Sequence, residues 1–337
     1  MAFHIHTGDS AKILRHIDSD TIDAVVTDPP YGIEFLDKEW DRNTGAVEIW
    51  RQCLRILKPG GHLLAFSAAR TYHHLATNIE SVGFEIRDQL MWLYASGFPK
   101  AQQIKGHPGW KTALKPAHEP ICMARKPFKG SAYANMATHG VGAVNIDATR
   151  IPTDDIRSGG ANGVSRLTFG QGETSNTDSF RQYTPNKQGR FPSNVIGEVP
   201  GYQKFFYCPK VTRKERNIGC DDPGPQFQVP HGFDYRMPSK HNADPTALVE
   251  QVEKTAPATS NTHPTVKPVA LMKYLVRLVA PQQAHIVDPF AGSGSTGMAC
   301  KQLGVEFTGI EQDAGYSEIA RRRIAATKTD PKEQLFE

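Results

Sequence analysis

The chain has no run of about 18 apolar residues, so no membrane-spanning helix and no membrane partner are expected. Its five cysteines (Cys53, Cys122, Cys208, Cys220 and Cys300) are odd in number and scattered, with no Cys-x-x-Cys pair and no Cys/His ligand spacing. That pattern points away from a disulfide framework and from a structural zinc, and no metal is expected. The opening residues MAFHIHTGDS lack the basic-then-apolar pattern of a secretory leader, and the expected setting is the cytosol. No internal repeat is present. Neither sign of charge dominates: 39 Lys+Arg against 35 Asp+Glu give +4, which alone identifies no partner. Hydrophobic residues make up 39% of the 337, enough to bury a sizeable core in one large domain or two ordinary ones.

Patterning divides the chain in three. Residues 1–94 and 263–337 alternate between strand and helix signals, which implies an α/β fold with a parallel sheet and crossover helices. In the first segment, strands are expected at Phe3–His6, Asp23–Thr27, His62–Ser67 and 86–94. Helices are expected after Asp9-Ser10, over 45–57 and over 69–81. The 45–57 helix has Val47, Trp50, Leu54 and Leu57 on one face, and Lys58-Pro-Gly-Gly61 should stop it. In the last segment, helices are expected over Val266–Ala280, to Leu303 and over 314–326, with strands at His285–Val287 and Glu306–Ile310. Residues 95–262 hold 17 of the 29 glycines and 16 of the 24 prolines. They read as a loop-rich insertion whose clear ordered piece, Glu119–Ala124, pairs with strand 86–94.

Two stretches carry chemistry. Gly292-Ser-Gly-Ser-Thr-Gly297 follows a strand, opens a helix and fits G-x-G-x-x-G, so its backbone N–H groups can approach a ligand without Cβ obstruction. Glu311 closes the next strand, where a carboxylate can bind two ribose hydroxyls. A P-loop is excluded because Met298 stands where a lysine is required. A nucleoside cofactor is implied; NAD(P) passes the same test, so an oxidoreductase is the rival reading. Asp28-Pro-Pro-Tyr31 ends a central strand, where α/β sheets place ligands. Two prolines remove two N–H donors and leave carbonyls and a carboxylate, an acceptor-only corner suited to an NH₂ group, with Tyr31 offering a flat face.

Asp288-Pro-Phe-Ala-Gly-Ser-Gly-Ser-Thr296 and Asp28-Pro-Pro-Tyr31 together resemble the DPPY-type amino-group DNA methyltransferases that use S-adenosylmethionine. His263-Pro-Thr-Val-Lys-Pro268 resembles a third motif of that family, with Val266 where Gln is usual. The motif order resembles the circularly permuted β class. Family-like stretches also occur at Gly97–Lys100, Glu119–Pro127 and Gly140–Arg150. The resemblance implies a Rossmann-like class I methyltransferase sheet, circularly permuted, with 1–94 and 263–337 as the core and a target-recognition region inserted at 95–262. It also implies double-stranded DNA as partner, a homodimer, and adenine-N6 as the target, with cytosine-N4 the alternative.

The roles implied are these. Asp28, Pro29, Pro30 and Tyr31 hold and stack a flipped-out base, with Phe35 as a further candidate. Asp288, Phe290, Gly292 and Gly294 wrap the cofactor, Glu311 binds its ribose and Asp9 its adenine. Thr265 and Lys267 approach its carboxylate end, with Ser295 and Thr296 as second choices. The insertion carries 21 Lys+Arg and 14 Asp+Glu, a net +7 beside a core of −3. Within it Lys126, Lys129, Arg190, Lys210, Arg213, Lys214 and Arg216 are candidate phosphate contacts. Arg321-Arg-Arg323 reads as the exposed face of the last helix. A DNA-binding protein without activity is a third reading, disfavoured by the intact Asp28 motif.

Overall fold

A computed structural model of the chain describes residues 2–33, 43–94, 101–152, 189–197, 211, 213–220 and 261–329. Eight strands form one sheet: β1 (Phe3–Thr7), β2 (Ile22–Thr27), β3 (Leu57–Phe66), β4 (Glu85–Leu93), β5 (His118–Arg125), β6 (Val195–Gly197), β7 (His285–Asp288) and β8 (Glu306–Glu311). Their order is β1-β8-β7-β2-β3-β5-β4-β6. All described strands run the same way except β5, which lies antiparallel between β3 and β4. The sheet is therefore mixed rather than parallel throughout. β5 pairs with 86–94 as expected, but it is also bonded to β3, from His62↔Arg125 to Phe66↔Ile121, so it sits inside the sheet.

The helices are α1 (Ser10–Ile13), α2 (Val47–Ile56), α3 (Tyr72–Ser81), α4 (Ala132–His139), α5 (Arg213–Arg216), α6 (Val269–Val279), α7 (Ser295–Leu303) and α8 (Ala314–Ala326). They cover both faces of the sheet, as parallel crossovers require. One core joins α6 and α7 to the inner side of β2 and β7 through Leu271, Leu275, Met298 and Ile286; the other joins α2 and α3 through Trp50, Ile56, Leu75 and Ile79. Each such fully buried large side chain contributes roughly 1.5–3 kcal/mol. α6 is buried almost all round, as befits a helix wedged between the sheet and a neighbour.

Two local expectations fail for packing reasons. The buried face of α2 is Ile49, Trp50, Cys53 and Ile56, while Val47 is exposed. Lys58-Pro-Gly-Gly61 does not cap α2. The helix ends at Ile56, and Leu57 already starts the ten-residue β3, paired with Ile22. Gly60, at φ +85°, donates its N–H to the Lys126 carbonyl, and a Cβ there would strike Asn135 of α4. Pro-Gly-Gly is thus the place where residues 126–142 close over the sheet. α4 itself had no counterpart in the sequence reading.

Candidate functional site

Parallel pairing of β2 with β7 brings Asp28-Pro-Pro-Tyr31 and Asp288-Pro-Phe290 to one edge of the sheet, 260 residues apart in sequence. Asp288 joins them. Thr27 Oγ1 donates to its Oδ1 (2.6 Å), Thr296 Oγ1 to its Oδ2 (2.6 Å), and the Phe290 N–H to Oδ1 (3.0 Å). Both oxygens face inward and the residue is buried, so Asp288 organises the loop rather than presenting acceptors to a ligand. Burial pushes its carboxyl up to about 6, against the three donors, which pull it down. Thr296 therefore supports Asp288, and Ser295 is buried beside it. Phe290 lies half-buried, its ring 5.8 Å from that of Trp50.

The glycine loop depends on its missing Cβ atoms. Gly292 (φ +50°) and Gly294 (φ +81°) adopt left-handed backbone, and Gly294 caps α7. A Cβ on Gly292 would lie 2.8 Å from His263 Nε2, and one on Gly297 would lie 2.6 Å from the Phe307 ring. Gly297 thus lets α7 pack closely on β8. Glu311 accepts the Gly292 N–H on Oε2 and the Asp313 N–H on Oε1, both at 2.9 Å. Burial raises its pKa, opposed by those N–H bonds. Asp9 follows β1 at the adjoining edge strand and caps α1 by accepting the Ala11 N–H at 2.9 Å, while Gly8 N–H bonds to the Glu311 carbonyl. Arg323 corrects the reading of α8. It is fully buried, and its guanidinium donates to the Ser293 carbonyl (2.5 Å) and hydroxyl (2.9 Å), holding the loop from behind. Arg321 stays partly exposed while reaching the Ile5 carbonyl and the Thr7 hydroxyl, and Arg322 lies on the exposed face as expected.

The His263–Pro268 stretch spans both motifs. His263 lies against Gly292 and edge-on to Tyr316; burial lowers its pKa to about 4, so it is neutral. Its Nδ1 accepts the Thr265 N–H, and the rest of Thr265 is exposed. Lys267 does not lie on the loop. Its Nζ enters the Asp28 corner, 2.6 Å from Asp28 Oδ2, 3.0 Å from the Tyr31 hydroxyl and 3.3 Å from Glu119 Oε2. The Tyr31 oxygen lies 2.8 Å from Asp28 Oδ1 and 2.7 Å from Glu119 Oε2. The corner is therefore not acceptor-only: it holds two carboxylates, one ammonium and one phenol. Burial opposes the charge on Lys267, but the two carboxylates prevail and raise its pKa. Burial first, then the same carboxylates, hold Tyr31 protonated. Glu119 was missed in sequence because no spacing links it to Asp28. Its signals were a carboxylate at the start of a strand flanked by His118 and Pro120, and its place at the head of the family-like stretch Glu119–Pro127.

The phosphate candidates separate. Lys126 is turned into the fold: its Nζ donates to Asp20 Oδ1 and to the carbonyls of Arg55 and Leu57, closing the C-terminus of α2. Arg216 donates to the His263 carbonyl and braces the motif. Arg190 pairs through its backbone with Ile151. Lys129 and Lys214 are exposed. Lys210, the Arg213 side chain and Phe35 lie outside the described residues.

This edge joins a glycine turn with a terminal carboxylate to a second carboxylate corner. The chain belongs to the DNA methylase family, whose model matches residues 22–322. It is 23% identical to the Type II methyltransferase M.HindIII of Haemophilus influenzae, over 97% of this chain and 96% of that one. It is 22% identical to the Type II methyltransferase M.HpaI of Haemophilus parainfluenzae, over 93% and 71% respectively. Among solved structures it resembles the cytosine-N4-specific PvuII DNA methyltransferase in fold, with a TM-score of 0.54 at 14% identity, over 96% of this chain and 86% of that one. Family membership sets the oxidoreductase reading aside. No helix among the described residues is long and apolar enough to cross a membrane.

Proposed function

We propose that this DNA methyltransferase uses S-adenosylmethionine to methylate the N6 amino group of adenine, in a base swung out of double-stranded DNA at a specific site. The observation that carries this reading is the Asp28 corner, where a carboxylate at the first position of the motif meets Glu119, Lys267 and Tyr31. In the family resembled, Asp at that position leans toward adenine. The likeness to a cytosine-N4 enzyme is one of fold and leaves the choice of base to the corner. The order of the motifs supports a circularly permuted core, and a homodimer belongs to the same reading.

S-adenosylmethionine supplies an electrophilic sulfonium methyl when bound. The residues fit it: Glu311 accepts backbone N–H bonds on both oxygens without using all its lone pairs, so it can also accept from a ribose hydroxyl, and Gly292 and Gly294 leave the backbone uncovered. Asp28 and the Pro29 carbonyl accept the two N–H bonds of the target amine, which favours a tetrahedral nitrogen with a free lone pair. Asp28 Oδ1 becomes available when Tyr31 turns its single proton wholly to Glu119, which lies as near as Asp28 does. Lys267 stays on Oδ2 and leaves Oδ1 to the target amine. The surplus proton, acidic once the nitrogen carries the methyl, passes to Asp28 and on to solvent. Positioning of this kind supplies on the order of 7–11 kcal/mol of a barrier.

The test is mass spectrometry of nucleosides from unmethylated DNA incubated with the protein and S-adenosylmethionine. N6-methyladenine is expected. N4-methylcytosine alone overturns the choice of base, and no methylated nucleoside overturns the proposal.

A further inference from the structure

Residues 102–117 are exposed without interruption, yet they are ordered by their own hydrogen bonds. Gln103 and Lys111 form an antiparallel bridge. Ile104 N–H bonds to the Trp110 carbonyl (3.0 Å) and Thr112 N–H to the Gln102 carbonyl (3.0 Å). At the tip, His107-Pro-Gly-Trp110 closes on itself, with Pro108 second and Gly109 (φ +83°) third, as in a type II turn. The Gln103 amide plugs the loop from inside, donating to the carbonyls of His107 (2.8 Å) and Trp110 (2.9 Å). The loop is held by polar and backbone bonds, and its apolar side chains are left to solvent. Trp110 is 72% exposed, Leu114 91% and Ile104 39%. An ordered, self-bonded loop that turns its tryptophan to water has the anatomy of a contact surface.

Charge selects the partner. From Gln89 to His118 there is no acidic residue, and Lys105, Lys111 and Lys115 are exposed in the same stretch as the apolar groups. Such a patch repels a second copy of itself and attracts phosphate. Topology sets its place. β4 runs parallel with β2, so the finger springs from the edge of the sheet that carries Asp28. The Tyr94 N–H clamps its base to the Ala117 carbonyl (3.0 Å), two residues before Glu119.

We propose that the finger 101–117 enters the DNA duplex beside the catalytic corner. Its lysines lie on phosphates, and Trp110 wedges into the base stack where the target nucleotide has left it. The inference rests on base extrusion as described above. No backbone bond of the turn depends on the indole, so Trp110→Ala keeps the fold, which thermal unfolding checks.

The test first maps the methylated site by sequencing, then compares methylation of two short duplexes. One is fully matched; in the other the target base faces an abasic gap, so that it is already unpaired and cheaper to extrude. Trp110→Ala is expected to lower kcat/KM on the matched duplex by at least about tenfold and to recover to within about twofold on the gapped one. Lys105→Ala with Lys111→Ala should reduce the salt slope of DNA binding by about 2. Wild-type rates on the matched duplex, an equal deficit on both duplexes, or an altered oligomeric state as the sole effect would overturn the wedge. Failure of the wild type to methylate either duplex counts against the methyltransferase reading instead.

Discussion

Replacing Lys267 by methionine isolates the charge that holds the Asp28 corner together. The ammonium is 7% exposed, and its two carboxylate partners are 18% and 19% exposed. Without it, two carboxylates face each other with one phenol proton between them. Breaking a buried pair costs roughly 3–5 kcal/mol. The remaining exposure of the carboxylates places Lys267→Met near the lower figure, about 3 kcal/mol at pH 8. The wild-type lysine has a folded pKa above its ordinary value, so its contribution is complete at lower pH and is lost only as pH rises through that value. Between pH 5 and 8 it is constant. In the variant, one carboxyl must titrate above its ordinary range, and that cost is relieved as pH falls through its raised pKa. The deficit should therefore shrink toward pH 5, at about 1.4 kcal/mol for each pKa unit. Adding Glu119→Gln removes the second charge and should restore about 1–2 kcal/mol at pH 8. Urea unfolding followed by tryptophan fluorescence at the two pH values measures both variants against the wild type. A Lys267→Met protein as stable as wild type at pH 8, or with the same deficit at both pH values, would refute the charge argument.

Asp288, whose carboxyl burial raises to about 6, weakens the fold above that pH and is relieved as pH falls from 6 toward 4. Asp288→Asn should flatten that window, changing the stability difference from wild type by on the order of 3 kcal/mol between pH 7 and pH 4 in matched urea titrations. Gly297→Ala drives a Cβ into Phe307 and Ile324 and should cost about 1–3 kcal/mol, with weaker binding of S-adenosylmethionine by calorimetry. Lys126→Ala removes three donations that close the end of α2. It should destabilise by about 1–2 kcal/mol while leaving the salt slope of DNA binding unchanged. A slope reduced by about 1 would return Lys126 to the DNA surface.

The elements built from local chemistry were legible in the sequence: the strands β1, β2, β7 and β8, the glycine turn and the helix it opens, because periodicity, turn residues and caps act over a few positions. Pairings between distant segments were not. The same Lys-Pro-Gly-Gly that reads as a helix stop becomes the start of β3 because α4 and Lys126 close over it, and α4 gives no local warning. Three consecutive arginines on an amphipathic helix look like a solvated face. Arg323 is buried because Ser293 of the glycine loop and the Glu215 carbonyl meet it there.

By itself the sequence determined which groups the protein has for its chemistry: an Asp-Pro-Pro-Tyr corner, a glycine loop, an acid closing the next strand and a surplus of positive charge in the middle of the chain. Only the tertiary structure decided what touches what. The strand order β7-β2-β3-β5-β4 brings Lys267, 239 positions from Asp28, and Glu119, 88 positions from Tyr31, to one carboxylate corner. No spacing rule reaches across such distances. The arrangement arises because buried backbone must pair strand with strand, and side chains at the ends of neighbouring strands then share one edge.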